Sequence, residues 1–416
     1  MERKVVITGM GILSPIGNNV KEFWKNIEEG KCGIDKITHY DTTNYKVKLA
    51  AELKNYSPEN YFEKKEAKRL DKFSQFAIIA ARQAWEDSNL HKEEQNMEKV
   101  GVIIGTGIGG IETIEKEQIK LLEKGPDKVT PFYIPMGISN MCAGNVAIDL
   151  GIKGESLAIS TACATSTHCI GEAYRNIKHG YQDIILAGGT ENSITPLSVA
   201  GFTNIKALTK TTNKNRASIP FDKERNGFVM GEGAGVIVLE ELEHALARNA
   251  KIYAQLVGYG ATSDAYHITS PAPEGEGGAR AMINAIKDAQ INPEEITYIN
   301  AHGTSTTLND AYETLAIKKA LGENAKKSVM ISSTKGNTGH MLGAAGVAEA
   351  IVCIQAIQNS FVPPTINYEI PDEECDLDIV PNKGRKKEIE YAMSNSLGFG
   401  GHNSSIILKK YKRKEK

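Results

Sequence analysis

Residues 160–171 read STACATSTHCIG, and residues 332–343 read SSTKGNTGHMLG. Both stretches follow a short apolar run and enter a helical pattern, and a shift of 172 positions places Cys163 on Lys335 and His168 on His340. The strand-like stretch VVITGMG at 5–11 likewise resembles AQLVGYG at 254–260. Self-similarity of this kind indicates a repeated structural unit. We therefore predict two related α/β halves, residues 1–250 and residues 251–416.

Short apolar runs that end in glycine alternate with amphipathic stretches, a pattern typical of an α/β fold. Apolar residues at helical spacing predict a helix over 68–89. The predicted strands are 5–8, 100–104, 157–161, 183–187, 234–240, 252–258, 296–301, 329–334, 390–395 and 404–408.

The composition excludes several classes of protein. The chain has 416 residues and a formal net charge of −2, whereas domains that bind nucleic acid are usually strongly basic. It has no run of about 18 apolar residues, and a strand that starts at Val5 leaves no room for a signal peptide. The six cysteines form no CxxC pair, which indicates a reducing compartment and no zinc site. We predict a cytoplasmic globular protein that binds neither nucleic acid nor membrane and holds no metal.

Cys163 lies between a predicted strand and a predicted helix. A thiol at a helix N-terminus feels the positive end of the helix dipole, which lowers its pKa and favours the nucleophilic thiolate. The small residues around it leave room for a bulky acyl group. Taken alone, however, a single cysteine is more often buried and inert.

Two histidines lie in turns rich in Gly, Ser and Thr. His302 follows the predicted strand 296–301, and His340 lies five residues after Lys335. Either one alone is more simply structural, but such turns expose backbone N–H groups and leave room for a ligand. Near the C-terminus, GFGG at 398–401 can present an N–H group to an oxyanion while Phe399 acts as a gate. The simpler interpretation is a glycine-rich loop with a packed phenylalanine.

Together these blocks resemble the elongating β-ketoacyl-[acyl-carrier-protein] synthases of dissociated fatty acid synthesis. The resemblance extends over nearly the whole chain, and its most specific parts are the Cys163 block, EGAG at 232–235, HGTST at 302–306 and KGNTGH at 335–340. It implies a thiolase-like fold with duplicated α/β halves in five layers, αβαβα, and a homodimer. His340 at the third position indicates a Cys-His-His type, unlike the Cys-His-Asn set of initiating synthases or the Cys-His-Cys set of thiolases.

The resemblance also implies the reaction, a decarboxylative Claisen condensation of malonyl-carrier protein with an acyl group held on Cys163. His302 and His340 would hold the malonyl thioester carbonyl through Nε2–H groups, and backbone N–H groups of Cys163 and Phe399 would form an oxyanion hole. A cationic Lys335 would disfavour protonation of both histidines by like-charge repulsion. The resemblance pairs this lysine with Glu349.

The remaining roles also come from the resemblance. Thr304 and Thr306 would bond the phosphopantetheine amides, or else only their own turn, and Ile108 would line the acyl pocket. The acyl carrier protein would dock on basic residues matching Lys65, Lys68, Arg69 and Lys206. No cofactor is implied, because phosphopantetheine arrives on the carrier protein. Some relatives hold a structural monovalent cation at positions matching Asn300, Glu349 and Asn395.

Several alternatives stay open. A synthase I type or a polyketide-type ketosynthase shares the triad, although the chain length and the overall match favour synthase II. A catalytically inactive partner subunit is disfavoured because Cys163 and both histidines are present. GTGIGG at 105–110 fits the dinucleotide-binding pattern G-x-G-x-x-G, but no acidic residue ends a strand about 20 residues later.

Overall fold

A computed structural model describes residues 3–413. Its strands are β1 Val5–Leu13, β2 Asp35–Lys36, β3 Leu49–Ala50, β4 Val100–Gly105, β5 Ser156–Leu157, β6 Ile184–Glu191, β7 Gly233–Glu241, β8 Ala254–Ser263, β9 Ile296–Asn300, β10 Met330–Ser332, β11 Phe361–Val362, β12 Arg385–Lys386, β13 Tyr391–Gly398 and β14 His402–Lys409. Its α-helices are α1 Val20–Glu28, α2 Lys64–Ala67, α3 Lys72–Asp87, α4 Ile111–Lys124, α5 Tyr133–Gly137, α6 Met141–Leu150, α7 Thr165–Lys178, α8 Pro196–Asn204, α9 Leu242–Ala247, α10 Glu276–Ala289, α11 Thr307–Leu321, α12 Asn324–Lys327, α13 Lys335–Thr338 and α14 Ala345–Asn359.

The strand order shows the duplication directly. The first half is ordered β5-β4-β6-β7-β1 and the second β10-β9-β13-β14-β8, so corresponding strands take the same places in both. In each half the fourth strand along the set is antiparallel to both neighbours, and the three outer strands are parallel. The two sets are joined by only three residue pairs between β1 and β8. The predicted boundary near residue 250 falls between α9 and β8.

The halves stack in five layers. Helices α3 and α6 cover the outer face of the first set of strands, and α10 with α11 lies outside the second. Helices α7 and α14 contact strands of both sets and therefore lie between them. The buried apolar residues form a central cluster around α7 and α14 and an outer cluster under each pair of covering helices. The predicted thiolase-like α/β fold is confirmed.

Each half repeats one close contact between a strand and a helix. Gly9 and Gly11 of β1 face backbone carbonyl groups of α3, and Gly258 and Gly260 of β8 face those of α10. A Cβ atom at any of these four glycines would come within 2.3 Å of a carbonyl oxygen. The predicted match between residues 5–11 and 254–260 therefore has a packing reason.

The other predicted match, by 172 positions, is wrong in its register. The turn before α7 has φ of 50° at Ala162, and the turn before α14 has φ of 46° at Leu342. Both turns then form one 3₁₀ turn and enter their helix, so the equivalent positions are 180 residues apart. The second half has extra residues, including α13, between its edge strand β10 and this turn. The first half has a shorter connection between its edge strand β5 and the corresponding turn. Lys335 and His340 lie in these extra residues and have no counterpart in the first half.

Two predicted elements are shorter than expected. The strand predicted at 157–161 is only Ser156–Leu157, because the chain then leads into the turn at Ala162. The helix predicted at 68–89 is α3, Lys72–Asp87, and the separate short helix α2 precedes the predicted range. Asp71 sets the start of α3, since its carboxylate accepts the N–H of Phe73 as an N-cap.

One helical window in the described residues, Leu342–Asn359, is long and apolar enough to cross a membrane by length and composition alone. In the structure 83% of this window is buried, because it contains α14 of the central layer. The cytoplasmic location stays a prediction.

Candidate active site

Cys163 lies in the turn that leads into α7 and lines a cavity of about 300 Å³. The preceding Ala162 adopts the left-handed conformation, which is unusual for a residue with a Cβ. Strained turns of this kind before a helix present nucleophiles in other enzymes. The Cys163 side chain is buried and belongs to an apolar cluster with Ile194, Val199 and Leu342.

The lowered thiol pKa expected at this helix N-terminus is contradicted. Burial raises the pKa of Cys163 to about 12, against smaller lowering effects of the Lys335 charge and of the backbone N–H of Phe399. The side chain is therefore a thiol in the resting protein, and the thiolate must form as the sulfur attacks.

The structure brings the three predicted reactive side chains together. One ligating atom each of Cys163, His302 and His340 lies within 4.8 Å of the other two. The two imidazole rings are nearly perpendicular, with centroids 5.2 Å apart. The three positions come from different elements, namely the turn before α7, the loop after β9 and the loop after α13.

Lys335 fixes the orientation of His302. Its ammonium group is 3.4 Å from His302 Nδ1 and also contacts the backbone carbonyl of His302 and the carboxylate of Glu349. An ammonium group can only donate, so Nδ1 accepts and the ring proton is on Nε2. The predicted contact between Lys335 and Glu349 is present, and both side chains are buried.

His340 is held by its backbone and leaves its ring free. Its N–H donates to the carbonyl of Val229 and its own carbonyl accepts from Gly231. Within residues 3–413 neither ring nitrogen has a hydrogen-bond partner. Burial, followed by the charge of Lys335, lowers the pKa of both His302 and His340 well below the usual value. Both rings are therefore neutral and able to donate from one nitrogen.

Phe399 lies directly after β13, beside the thiol. Its backbone N–H points at the sulfur of Cys163, which suits the role predicted for it in an oxyanion hole. Its half-buried ring is 6.4 Å from the ring of Phe202. Gly400 and Gly401 follow with φ of 85° and 75°, conformations that residues with a Cβ rarely adopt.

The other predicted substrate residues divide into two groups. Thr304 and Thr306 line the cavity with Cys163 and the histidines, and their hydroxyl oxygens are 2.8 Å apart. Ile108 is not among the residues that line this cavity, and its side chain is 37% exposed. Its role in an acyl pocket stays a prediction.

The basic residues predicted to dock a carrier protein are all exposed. Lys65, Lys68 and Arg69 do not share one helix, because α2 ends at Ala67. The guanidinium of Arg69 lies over the ring of Phe132, 5.0 Å from its centroid. Lys206 lies at the cavity that contains Cys163.

Sequence reasoning missed two buried glutamates. The carboxylate of Glu313 on α11 accepts the N–H groups of His302 and Gly303 at 2.7 and 2.8 Å, and so holds the catalytic loop. Glu191 at the end of β6 accepts backbone N–H groups from two distant turns. The available signal was weak, since an acidic residue inside an apolar stretch does not show which backbone it reaches.

Glu191 also explains the GTGIGG motif. The N–H groups of Gly107 and Ile108, which would bind a phosphate in a dinucleotide site, donate to the Glu191 carboxylate at 2.9 and 3.3 Å. The loop thus binds an anion of the protein itself, which disfavours the dinucleotide interpretation.

The residues suggested for a monovalent cation fit such an ion in part. Among the described residues, Asn300 Oδ1 and Glu349 Oε2 are buried oxygens without a hydrogen-bond partner. The third oxygen, Asn395 Oδ1, already accepts from the Ser405 hydroxyl at 2.8 Å. Oxygen ligands are those that hard cations prefer.

The fold and this site define a condensing enzyme with a Cys-His-His triad. The family model described as β-ketoacyl synthase, N-terminal domain, matches residues 2–245, and the one described as β-ketoacyl synthase, C-terminal domain, matches residues 253–369. The chain belongs to the β-ketoacyl synthase family, as its sequence predicts.

Relatives within the family narrow the comparison. The chain is 54% identical to 3-oxoacyl-[acyl-carrier-protein] synthase 2 of Staphylococcus aureus (strain COL) over 98% of its own length and 99% of the relative. It is 49% identical to the protein of the same name from Synechocystis sp., with 99% of both chains covered.

Solved structures agree on the fold. A ketosynthase solved in complex with its type II polyketide acyl-carrier protein superposes with a TM-score of 0.92 at 37% identity, covering 99% of this chain and all of that one. A β-ketoacyl synthase from Burkholderia phymatum STM815 gives 0.90 at 34% identity, with the same coverage.

Proposed function

We propose that the protein is a 3-oxoacyl-[acyl-carrier-protein] synthase of the second type, which elongates an acyl chain by two carbons with release of CO2. The observation that carries the proposal is the approach of the Cys163 thiol and two neutral, buried histidines to within 4.8 Å of one another. This constellation supplies a nucleophile and two hydrogen-bond donors in a water-poor site, which is what acyl transfer followed by enolate formation needs.

In the first step the Cys163 sulfur attacks the thioester carbonyl of acyl-carrier protein. The new carbon–sulfur bond forms, the old one breaks, and the thiol proton passes to the departing phosphopantetheine sulfur. Negative charge on the carbonyl oxygen is stabilised by the backbone N–H groups of Cys163 and Phe399. Because burial keeps Cys163 protonated at rest, the thiolate forms only as the sulfur attacks.

In the second step malonyl-carrier protein replaces the first carrier, with Thr304 and Thr306 beside its phosphopantetheine arm. His302 donates from Nε2–H, the tautomer set by Lys335, and His340 donates from its unpaired ring. The two donors stabilise the enolate that forms as the carbon–carboxylate bond breaks and CO2 leaves. The enolate carbon attacks the acyl-Cys163 carbonyl and displaces the sulfur as a thiolate, which gives 3-oxoacyl-carrier protein. The thiolate then takes up one proton from solvent and returns to the resting thiol.

We infer that the acyl carrier protein is the partner and that phosphopantetheine enters only as its arm, with no resident cofactor. A related ketosynthase has been solved with its acyl-carrier protein, and exposed Lys65, Lys68, Arg69 and Lys206 suit an acidic partner by charge. We also propose that a structural monovalent cation binds the oxygens of Asn300 and Glu349 that have no hydrogen-bond partner within residues 3–413.

We also infer a homodimer. Within residues 3–413 the edge strand β5 of the first half is paired on one side only. Three apolar side chains of the same half are exposed, namely Leu157 on β5, Ile148 and Leu122. An open edge beside exposed apolar residues is usually covered by another chain. Light scattering after size exclusion measures the mass, and a monomer at micromolar concentration would contradict the inference.

The test of the function is intact-mass detection of an acyl adduct after mixing with acyl-carrier proteins of C4 to C16 chains, followed by condensation with malonyl-carrier protein. We expect one adduct per chain, unchanged by a metal chelator, although the same three side chains could together ligate a metal ion. Adduct formation without 3-oxoacyl product would contradict the proposal. A product that undergoes repeated condensation on one carrier would instead favour a polyketide-type ketosynthase.

A further inference from the structure

Glu191 is a fully buried carboxylate that joins turns from both halves of the molecule. Besides Gly107 and Ile108 of the first half, it accepts the N–H of Gly343 in the turn before α14 at 3.0 Å. The hydroxyls of Thr106 and Ser193 also donate to it, at 3.2 and 2.8 Å. Burial raises the pKa of Glu191, and the bonds from Ser193, Gly343, Gly107 and Ile108 oppose that rise. All five contacts donate to the carboxylate, which favours its ionised form and charge-assisted bonds.

The backbone bonded to Glu191 leads to apolar side chains near the thiol. Leu342 precedes Gly343, and Ile194 follows Ser193. Both belong to the buried apolar cluster that contains Cys163. The two turns leave no space for a side chain at their glycines. A Cβ on Gly107 would lie 2.6 Å from Glu191 Oε2, and one on Gly343 would lie 2.5 Å from the nitrogen of Gly107.

We propose that Glu191 is a positioning residue that clamps the turn at Gly107 and Ile108 to the turn at Gly343, and so fixes in advance the apolar wall beside Cys163 that a long acyl chain must contact. This inference rests on the proposed function, and it adds what determines the preference for chain length. A wall that is ordered before binding costs less to engage than one that the ligand must order. A short chain contacts less of the wall and therefore gains less from the clamp.

The test uses alkyl methanethiosulfonates, which need no carrier protein. The Cys163 sulfur forms a disulfide with the alkylthio sulfur, methanesulfinate leaves, and the thiol proton goes to solvent. Labelling by the methyl and decyl reagents is followed by intact mass, and Cys163→Ser measures labelling of the other cysteines.

Glu191→Gln places an amide NH₂ where N–H groups now donate, so at least one bond is lost. We expect the decyl-to-methyl rate ratio to fall about tenfold, in line with loss of a charge-assisted hydrogen bond.

Two further variants make the test specific. Gly343→Ala adds a methyl group between the two turns, pushes them apart and should lower the same ratio. In the double variant with Glu191→Gln the two effects should be less than additive, because both substitutions break the same clamp. Asp71→Asn is the matched control. Asp71 is also a buried carboxylate bonded to backbone N–H groups, and asparagine keeps its N-cap role, so the ratio should not change.

A ratio in Glu191→Gln equal to or above that of the wild type, or an equal loss with both reagents, would overturn the proposal. An unchanged ratio in Gly343→Ala would do so as well, even if Glu191→Gln failed to fold. If the wild-type protein forms no acyl adduct but the rate ratio falls in both variants, the proposed function is contradicted and the clamp is supported.

Discussion

The turn before α7 and the turn before α14 have the same backbone and different chemistry. Each begins with a left-handed residue, forms one 3₁₀ turn and enters a helix of the central layer. The helices touch at their first turns, where Val347 N–H donates to the Ser166 hydroxyl at 2.9 Å. At the central position the first turn carries Cys163, and the second carries Gly343, packed against Gly107 and Glu191.

This difference shows what each half supplies. The fold provides two turns able to present a nucleophile, but among the described residues the first turn lines a cavity at Cys163, whereas the second is packed against Gly107 and Glu191. The second half supplies His302, Lys335 and His340, the last two from residues absent in the first half. The first half therefore holds the acyl group on Cys163. The second half stabilises the enolate that forms from the malonyl group.

The largest expected effect is the loss of the nucleophile in the first turn. Cys163→Ala should abolish the acyl adduct. It should also lower the rate of condensation by a factor on the order of 10⁶, as for other covalent catalysts. Decarboxylation of malonyl-carrier protein needs only the histidines and should survive. Cys169→Ala, which removes a buried thiol on the following helix α7, is the control, and Cys163 should still be acylated in it. An adduct in Cys163→Ala would show that the nucleophile lies elsewhere.

The second half is tested by His340→Ala, which removes one of the two enolate donors. CO2 release from malonyl-carrier protein should fall about 10²–10³-fold, the usual effect of removing one such donor. Acylation of Cys163 should continue slowly, since the first turn is intact. Normal CO2 release would contradict the division of roles between the halves.

Much of this division could be predicted from the sequence, and the limits have physical causes. Cys163, His302 and His340 lie in short, distinctive turns, and the strands around them are continuous apolar runs. The register of the repeat was wrong because similarity in Ser, Thr and Gly outweighed an insertion that only the backbone reveals. The raised pKa of Cys163 was missed because burial depends on side chains from several distant elements, including Leu342 and Phe228. Glu191 and Glu313 act on backbone far away in sequence, and no local pattern marks that.

The charge of Lys335 gives a smaller effect, visible in the pH profile. Burial and this charge together lower the pKa of His302 and His340, so the neutral, donating form persists as pH falls. Lys335→Met removes the repulsion, raises both pKa values, and should move the acid limb of CO2 release upward by about one pH unit. The double variant with Glu349→Gln removes the buried partner charge too and should show the same shift. An acid limb that stays in place, or moves down, would contradict the electrostatic role.

The smallest expected effect concerns the surfaces at the starts of α3 and α10. These helices occupy equivalent places in the two halves, but the exposed residues at their starts carry opposite charges. Lys65 and Lys68 precede α3, whereas Glu274 and Glu276 lie at the start of α10, and all four side chains are exposed. Lys65→Glu with Lys68→Glu should raise KM for acyl-carrier protein severalfold and flatten its salt dependence, because exposed charges steer encounter more than they stabilise the complex. Arg69 is left unchanged because it packs on Phe132.

Glu274→Lys, in the other half, should have no effect on KM. Acylation by a small acyl-pantetheine thioester, which does not contact either surface, should be equal in all variants. If the small thioester loses activity in parallel with the carrier protein, the basic residues support the fold of the first half and do not dock the carrier.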